Sequence, residues 1–200
     1  MRRNVDAWWP YVENKAGNGA RHGVEAIVMT ASGCGVTVKE YGHLLKHDPV
    51  YAEKAARISE LTRDISEILA VEIGKGTPLF SNSTLNTKES KLSFHSPCTL
   101  QHGMQIRGVA EKILLAAGFE LTAVPDAHLC CGSAGTYSIL QPELSQRLLK
   151  NKLTALESGN PAQIVTANIG CLMHLQSGTL LPVRHWIEVL NERIEKLERA

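Results

Sequence analysis

Five cysteines occur in the 200-residue chain, and four of them fall at spacings that can do chemistry. Cys98 is followed after 31 residues by the adjacent pair Cys130-Cys131, with Gly132 behind it, and after 39 more by Cys171. Neighbouring thiols do not readily pair with each other, and packing gives no reason for two of them in the polar, glycine-bearing stretch HLCCGSAGTY. Thiolates that converge in space suit soft or borderline metals, iron–sulfur clusters first and zinc second. His174 follows Cys171 at the short C-x-x-H spacing by which one turn delivers two ligands to one metal. Gly132 and Gly170 let the backbone approach a bulky cofactor and offer N–H donors to sulfur. A reactive dithiol is the competing chemistry, but an adjacent pair makes a poorer redox couple than C-x-x-C. His102 and His128 flank the site as candidate hydrogen-bond donors behind the ligands.

Such a constellation needs a scaffold that gathers its members. Residues 91–95 read as a strand ending just before Cys98, and a helix is expected over about 102–117, closed by Gly118 as its C′ glycine. A second strand, 121–124, leads into the loop with Cys130 and Cys131. Pro142 starts a helix reaching about Glu157, and a third strand, 163–167, ends at Gly170-Cys171. Strands alternating with helices predict an α/β fold of βαβ units on a parallel sheet. The carboxyl ends of parallel strands share one edge, where such folds place their ligand sites, so the four thiols are expected to meet there.

The first part of the chain carries a weaker copy. Residues 4–16 read as a helix stopped by Gly17 and Gly19, residues 25–30 as a strand, and 38–46 as helical. A longer helix is expected over 51–73, with Ala55, Ile58, Leu61, Ile65, Ile68 and Leu69 on one face. Ile27-Val28 and Gly33-Cys34 recur as Ile164-Val165 and Gly170-Cys171, with four residues between in both cases. Ser66-Glu-Ile-Leu69 similarly echoes Ile187-Glu-Val-Leu190. The expected organisation is therefore a truncated C-terminal half-domain over 1–75, a linker over 76–90 and a complete domain over 91–200.

A net charge of +1 gives no electrostatic case for nucleic acid. No apolar run approaches the roughly 18–20 residues that span a bilayer, and the N-terminus lacks a secretory signal. The expected location is the cytoplasm, where five thiols speak for metal or redox chemistry more than for disulfides.

The spacing from Cys98 through Cys130-Cys131-Gly132 to Cys171 and His174 resembles the cysteine-rich CCG domain. That family has a cysteine, then Cys-Cys-Gly, then Cys-x-x-Cys, commonly in two tandem copies. The stretches Phe94–His102, His128–Tyr137, Ile164–Cys171 and Val183–Glu188 look like the iron–sulfur subunits of glycolate oxidase (glycolate dehydrogenase), and Thr30–Gly42 looks like the end of their first CCG copy. The resemblance implies an iron–sulfur electron-transfer component that takes electrons from flavin-containing subunits oxidising glycolate to glyoxylate. An acceptor in the membrane would place it peripherally at the inner membrane. It implies Cys98, Cys130, Cys131 and Cys171 as ligands of a cluster, 4Fe–4S in type, with His174 standing where the family has its last cysteine and zinc as the alternative metal. In the first copy Thr37 stands at the C-x-x-C partner position of Cys34, and the ferredoxin pattern C-x2-C-x2-C-x3-C-P is absent from the sequence. This polypeptide alone is therefore not expected to conduct electrons over distance. Two other readings stay open: a zinc-bound or metal-free structural module, and the iron–sulfur subunit of a lactate or heterodisulfide oxidoreductase.

Overall fold

Short strands alternate with helices along the chain, and every strand pairing is parallel. The computed structural model describes residues 1–13, 24–75 and 91–199. The expected linker, 76–90, and the end of the first expected helix with Gly17 and Gly19 lie outside the described residues. The chain divides into two compact units, Met1–Ile68 and Leu69–Ala200.

The first unit runs α1 (Arg2–Val12), β1 (Ile27–Met29), α2 (Ser32–Lys39), α3 (Tyr41–Leu44), α4 (Ala52–Leu61) and β2 (Thr62–Asp64), and α5 (Ile65–Gly74) begins in it. Its core gathers Val5 of α1, Val38 of α2, Tyr41 of α3, and Ala55 and Ile58 of α4. Each fully buried aliphatic side chain contributes about 1.5–3 kcal/mol. The single helix expected over 51–73 is two helices with a strand between them. Thr62-Arg-Asp64 turns extended to pair with Ile27–Met29. Asp64 then accepts from the Ser66 N–H at 2.9 Å, while Glu67 accepts from the Asp64 N–H at 2.9 Å. That reciprocal capping box restarts the helix as α5.

In the second unit come β3 (Lys91–His95), a π-turn (Thr99–Gly103), α6 (Val109–Ala116), β4 (Glu120–Leu121), α7 (Tyr137–Leu140) and α8 (Pro142–Glu157). They are followed by β5 (Gln163–Thr166), α9 (Ile169–Gln176), β6 (Val183–His185) and α10 (Trp186–Glu198). Sheet order β4-β3-β5-β6 puts β3 and β5 at the centre. Both are buried almost throughout, as strands covered on two faces must be. Residues i and i+2 share a face, and Ser93 pairs with Ile164 and His95 with Thr166, so these four look the same way. On that side Ile164 packs with Leu149, Leu153 and Leu156 of α8, Leu175 of α9 and Cys131.

Three expectations for this unit change. The helix over 102–117 shrinks to Val109–Ala116, because Gln105 (φ 59°) and Gly108 (φ 70°) take left-handed backbone and break it. Gly118 (φ 87°) does follow its C-cap. The strand at 121–124 is only Glu120–Leu121, although the Thr122 N–H still donates to the Leu92 carbonyl at 2.8 Å before the chain turns away. A fourth strand, β6, completes the sheet; three residues are too few for a periodic signal, and its pairing to β5 forms it.

Candidate metal centre

Each cysteine of the second unit leaves the carboxyl end of a neighbouring strand. Cys98 stands at the start of the π-turn after β3, Cys130 and Cys131 lie in the loop after β4, and Cys171 is the third residue of α9, after β5. Polar links tie the three segments together. Gln101 Nε2 donates to the Ser96 carbonyl (3.0 Å) and the Ala127 carbonyl (3.4 Å). Asn168 caps α9 by accepting from the Gly170 N–H (2.9 Å), and its Nδ2 reaches Thr99 Oγ1 at 3.4 Å. From beneath, the buried Lys152 of α8 donates to the carbonyls of Asp126 (2.9 Å) and Ala127 (3.3 Å), ahead of the paired cysteines.

Gly132 shows why the loop has its sequence. Its φ is +95°, and a Cβ there would lie 2.4 Å from the Ser145 carbonyl oxygen and 3.1 Å from Leu148 Cβ. Only glycine satisfies both the backbone angle and the gap. Its N–H points back to Cys130 Sγ at 3.3 Å.

The four thiols interact in the order Cys98, Cys130, Cys131, Cys171. Cys130 accepts from Cys131 and Cys98, and further from the Gly132 N–H, which holds its thiol far below the usual range. Cys98 and Cys131 are pushed correspondingly up, chiefly by their bonds to Cys130, with burial adding to it. Cys171 is lowered to about 5, first by its bond to Cys131 and then by the His95 imidazole beside it. Lys152 is lowered by burial, against the pull of Cys98, Cys131 and Cys130. The arrangement holds a buried lysine and two sulfurs favoured as thiolates, a donor set suited to a soft metal.

Of the sequence-derived candidates, the four cysteines come together, whereas His174 has other company. Ser145 Oγ donates its one hydrogen to the Gly132 carbonyl (2.9 Å), so at 3.3 Å it accepts from His174 Nε2–H. His174 thereby braces the Cys-Cys-Gly loop. His102 and His128 are exposed, His102 Nε2 lying 3.3 Å from the His128 carbonyl. Cys34 is exposed on α2. The sequence did not single out His95, the last residue of β3. Its side chain is 1% exposed, and one ring nitrogen lies with Cys131 Sγ and Cys171 Sγ in a group whose members are all within 4.8 Å of one another. The available signal was a histidine ending a central strand three residues before a candidate ligand.

The cysteine-rich domain family CCG matches residues 92–176. The chain is 52% identical over 195 residues to the glycolate oxidase iron-sulfur subunit of Escherichia coli strain K12, covering 98% of this chain and 44% of that protein. To the probable glycolate oxidase iron-sulfur subunit of Bacillus subtilis it is 34% identical over 157 residues, 78% of this chain and 34% of the relative. To lactate utilization protein A of Bacillus velezensis it is 30% identical over 182 residues, 84% of this chain and 71% of the relative. The chain thus spans less than half the length of the two glycolate oxidase relatives.

Proposed function

This chain belongs to the CCG cysteine-rich domain family, and on that premise we propose that it is an electron-transfer component of a glycolate dehydrogenase. Cys98, Cys130, Cys131 and Cys171 hold its iron–sulfur cluster, of the 4Fe–4S type. The observation that carries this reading is the meeting of four thiols at the carboxyl edge of one parallel sheet, two of them favoured as thiolates. When bound, such a cluster supplies one-electron transfer, which no side chain here provides.

The chain's own residues do the rest. Cys130 and Cys171 offer anionic sulfur, and the Gly132 N–H donates to the first of them. Lys152 fixes the loop and offsets the negative charge gathered there. The partners are flavin-containing subunits, where glycolate loses two electrons and two protons to become glyoxylate, and an electron acceptor in the membrane. No helix among the described residues is long and apolar enough to cross a membrane. We place the chain in the cytoplasm, held peripherally at the inner membrane by its partners.

The first unit fits the back half of a second CCG-like domain. Its order α1, β1, α2, β2, with α5 beginning at its end, follows α8, β5, α9, β6, α10 of the second unit, with α3 and α4 added. A second substrate reading, lactate, is favoured by the lactate utilization relatives, of which this chain covers the larger share. The test is anaerobic addition of glycolate or lactate to the chain assembled with its flavin subunits. Glycolate should bleach the broad iron–sulfur absorbance at wavelengths beyond the flavin bands in the wild type, whereas in Cys130→Ser only the flavin bands should bleach. Faster bleaching by lactate would move the substrate to the second reading, and no bleaching by either would end the proposal.

A further inference from the structure

His95 is a ligand-type side chain at this centre that its surroundings leave unexplained. It ends a central strand, is 1% exposed, and neither of its ring nitrogens has a hydrogen-bond partner. Leaving a buried polar group unpaired costs about 1–3 kcal/mol, and an imidazole has two such groups. On the same face the hydroxyls of Ser93 and Thr166 are also buried without partners, so no neighbouring side chain is placed to relieve it. The imidazole lies close enough to Cys171 to favour its thiolate, although neither ring nitrogen meets the sulfur in full hydrogen-bond geometry. A ring nitrogen and the sulfurs of Cys131 and Cys171 all lie within 4.8 Å of one another. Donors on one tetrahedral ion stand roughly 3.5–3.8 Å apart, given metal–sulfur bonds of about 2.3 Å and metal–nitrogen bonds of 2.0–2.1 Å. A limit of 4.8 Å puts the trio within a small side-chain adjustment of closing on a common atom.

We propose that His95 is itself a ligand of this centre, so that its donor set is four thiolates and one imidazole. This rests on the reading of the four cysteines as cluster ligands and adds a donor from a different segment. The assignment separates the two histidines near the site. His174 Nε2 is committed as a donor to Ser145 and braces the loop, whereas neither nitrogen of His95 has a hydrogen-bond partner and one lies within 4.8 Å of two sulfurs. As the added donor, a neutral imidazole brings no negative charge to the cluster and so holds its reduction potential above what a further thiolate at that position would give.

The experiment uses the full chain, reconstituted anaerobically with iron and sulfide, as wild type, His95→Ala, His95→Cys, His174→Ala and Cys130→Ser. It reads iron and sulfide content, nitrogen-14 hyperfine coupling in the paramagnetic state, and midpoint potential. The wild type should show coupling to a directly bound nitrogen. That coupling should vanish in both His95 variants and persist in His174→Ala. His95→Cys keeps a donor in the same place, so it should retain iron and sulfide at a lower midpoint potential, even if His95→Ala folds poorly. Coupling that survives in His95→Cys, that is lost in His174→Ala, or that is absent from a wild type replete in iron and sulfide overturns the proposal while leaving the four-cysteine reading standing. Failure of the wild type to take up iron and sulfide, or unchanged uptake in Cys130→Ser, overturns that parent reading and the His95 assignment with it.

Discussion

Cys34 and Cys171 occupy the same local place in two different units. Each is the third residue of a helix that follows a parallel strand, each is preceded by glycine, and each strand pairs with the next one in its unit. Only one of them belongs to a candidate centre. Cys34 is exposed, and its i+3 neighbour Thr37 turns back to donate to the Gly33 carbonyl at 3.0 Å. Cys171 meets Cys131 and His95, and its i+3 neighbour His174 reaches across to Ser145. The caps differ as well: Ala31 offers α2 no side-chain cap, while Asn168 caps α9 and touches the π-turn after Cys98. A strand-to-helix corner with Gly-Cys presents a thiol; residues distant in sequence, delivered by β3 and the loop after β4, turn it into a site.

That contrast is sharpest under substitution of the two cysteines. Cys171→Ser should abolish iron and sulfide binding, and Cys34→Ser should leave both at wild-type content; equal losses would erase the distinction. Next comes the loop that only the second unit possesses. Gly132→Ala forces a left-handed backbone onto a residue with a Cβ and drives that atom against the Ser145 carbonyl oxygen. A loss of at least about 2 kcal/mol on denaturant unfolding is expected. Lys152→Met removes two donors from the loop carbonyls and the positive charge beside the sulfurs. Unfolding should show a loss of about 1–3 kcal/mol, and the midpoint potential of the loaded protein should fall. An unchanged potential would remove Lys152 from the electrostatics of the site.

The metal-free chain gives a pH test confined to the second unit. Cys171, lowered to about 5, contributes stability fully present above the unfolded thiol value of about 8.5 and lost as pH falls through 5. Cys130 acts with the same sign. Cys98 and Cys131 are raised, so their contribution is present below about 8.5 and lost as pH rises beyond it. Metal-free stability should therefore peak near pH ~8.5, and Cys171→Ser should flatten the acid side of that peak. A profile that Cys171→Ser leaves unaltered would contradict the sulfur network. The smallest effect belongs to the first unit. Glu67→Ala breaks the capping box at Asp64 and should cost about 0.5–2 kcal/mol there, with no change in iron content.

How much the sequence disclosed depended on how local each signal is. The α8 helix begins at Pro142 and ends at Glu157 as its punctuation indicated, and β3 runs 91–95 as its apolar pattern did. The cysteine edge was legible because parallel strands share an end. The interruption at Thr62–Asp64 was hidden, since the apolar positions Ile58, Leu61, Ile65 and Ile68 keep helical spacing straight through it. What sets it is pairing with β1, although Asp64-x-x-Glu67 carried a readable capping signature. His95 stayed unseen for the opposite reason: within Lys91–His95 nothing distinguishes it from any strand residue until burial removes its partners and brings Cys131 and Cys171 alongside. His174 stands at the expected C-x-x-H spacing, and what the spacing could not show is that α8 brings Ser145 to its Nε2.

The central claim, that the four cysteines of the second unit hold an iron–sulfur cluster, is tested most directly by iron and acid-labile sulfide analysis of the full chain purified without air. The account predicts iron with matching sulfide. Zinc without sulfide, or neither iron nor sulfide after anaerobic reconstitution, would contradict it.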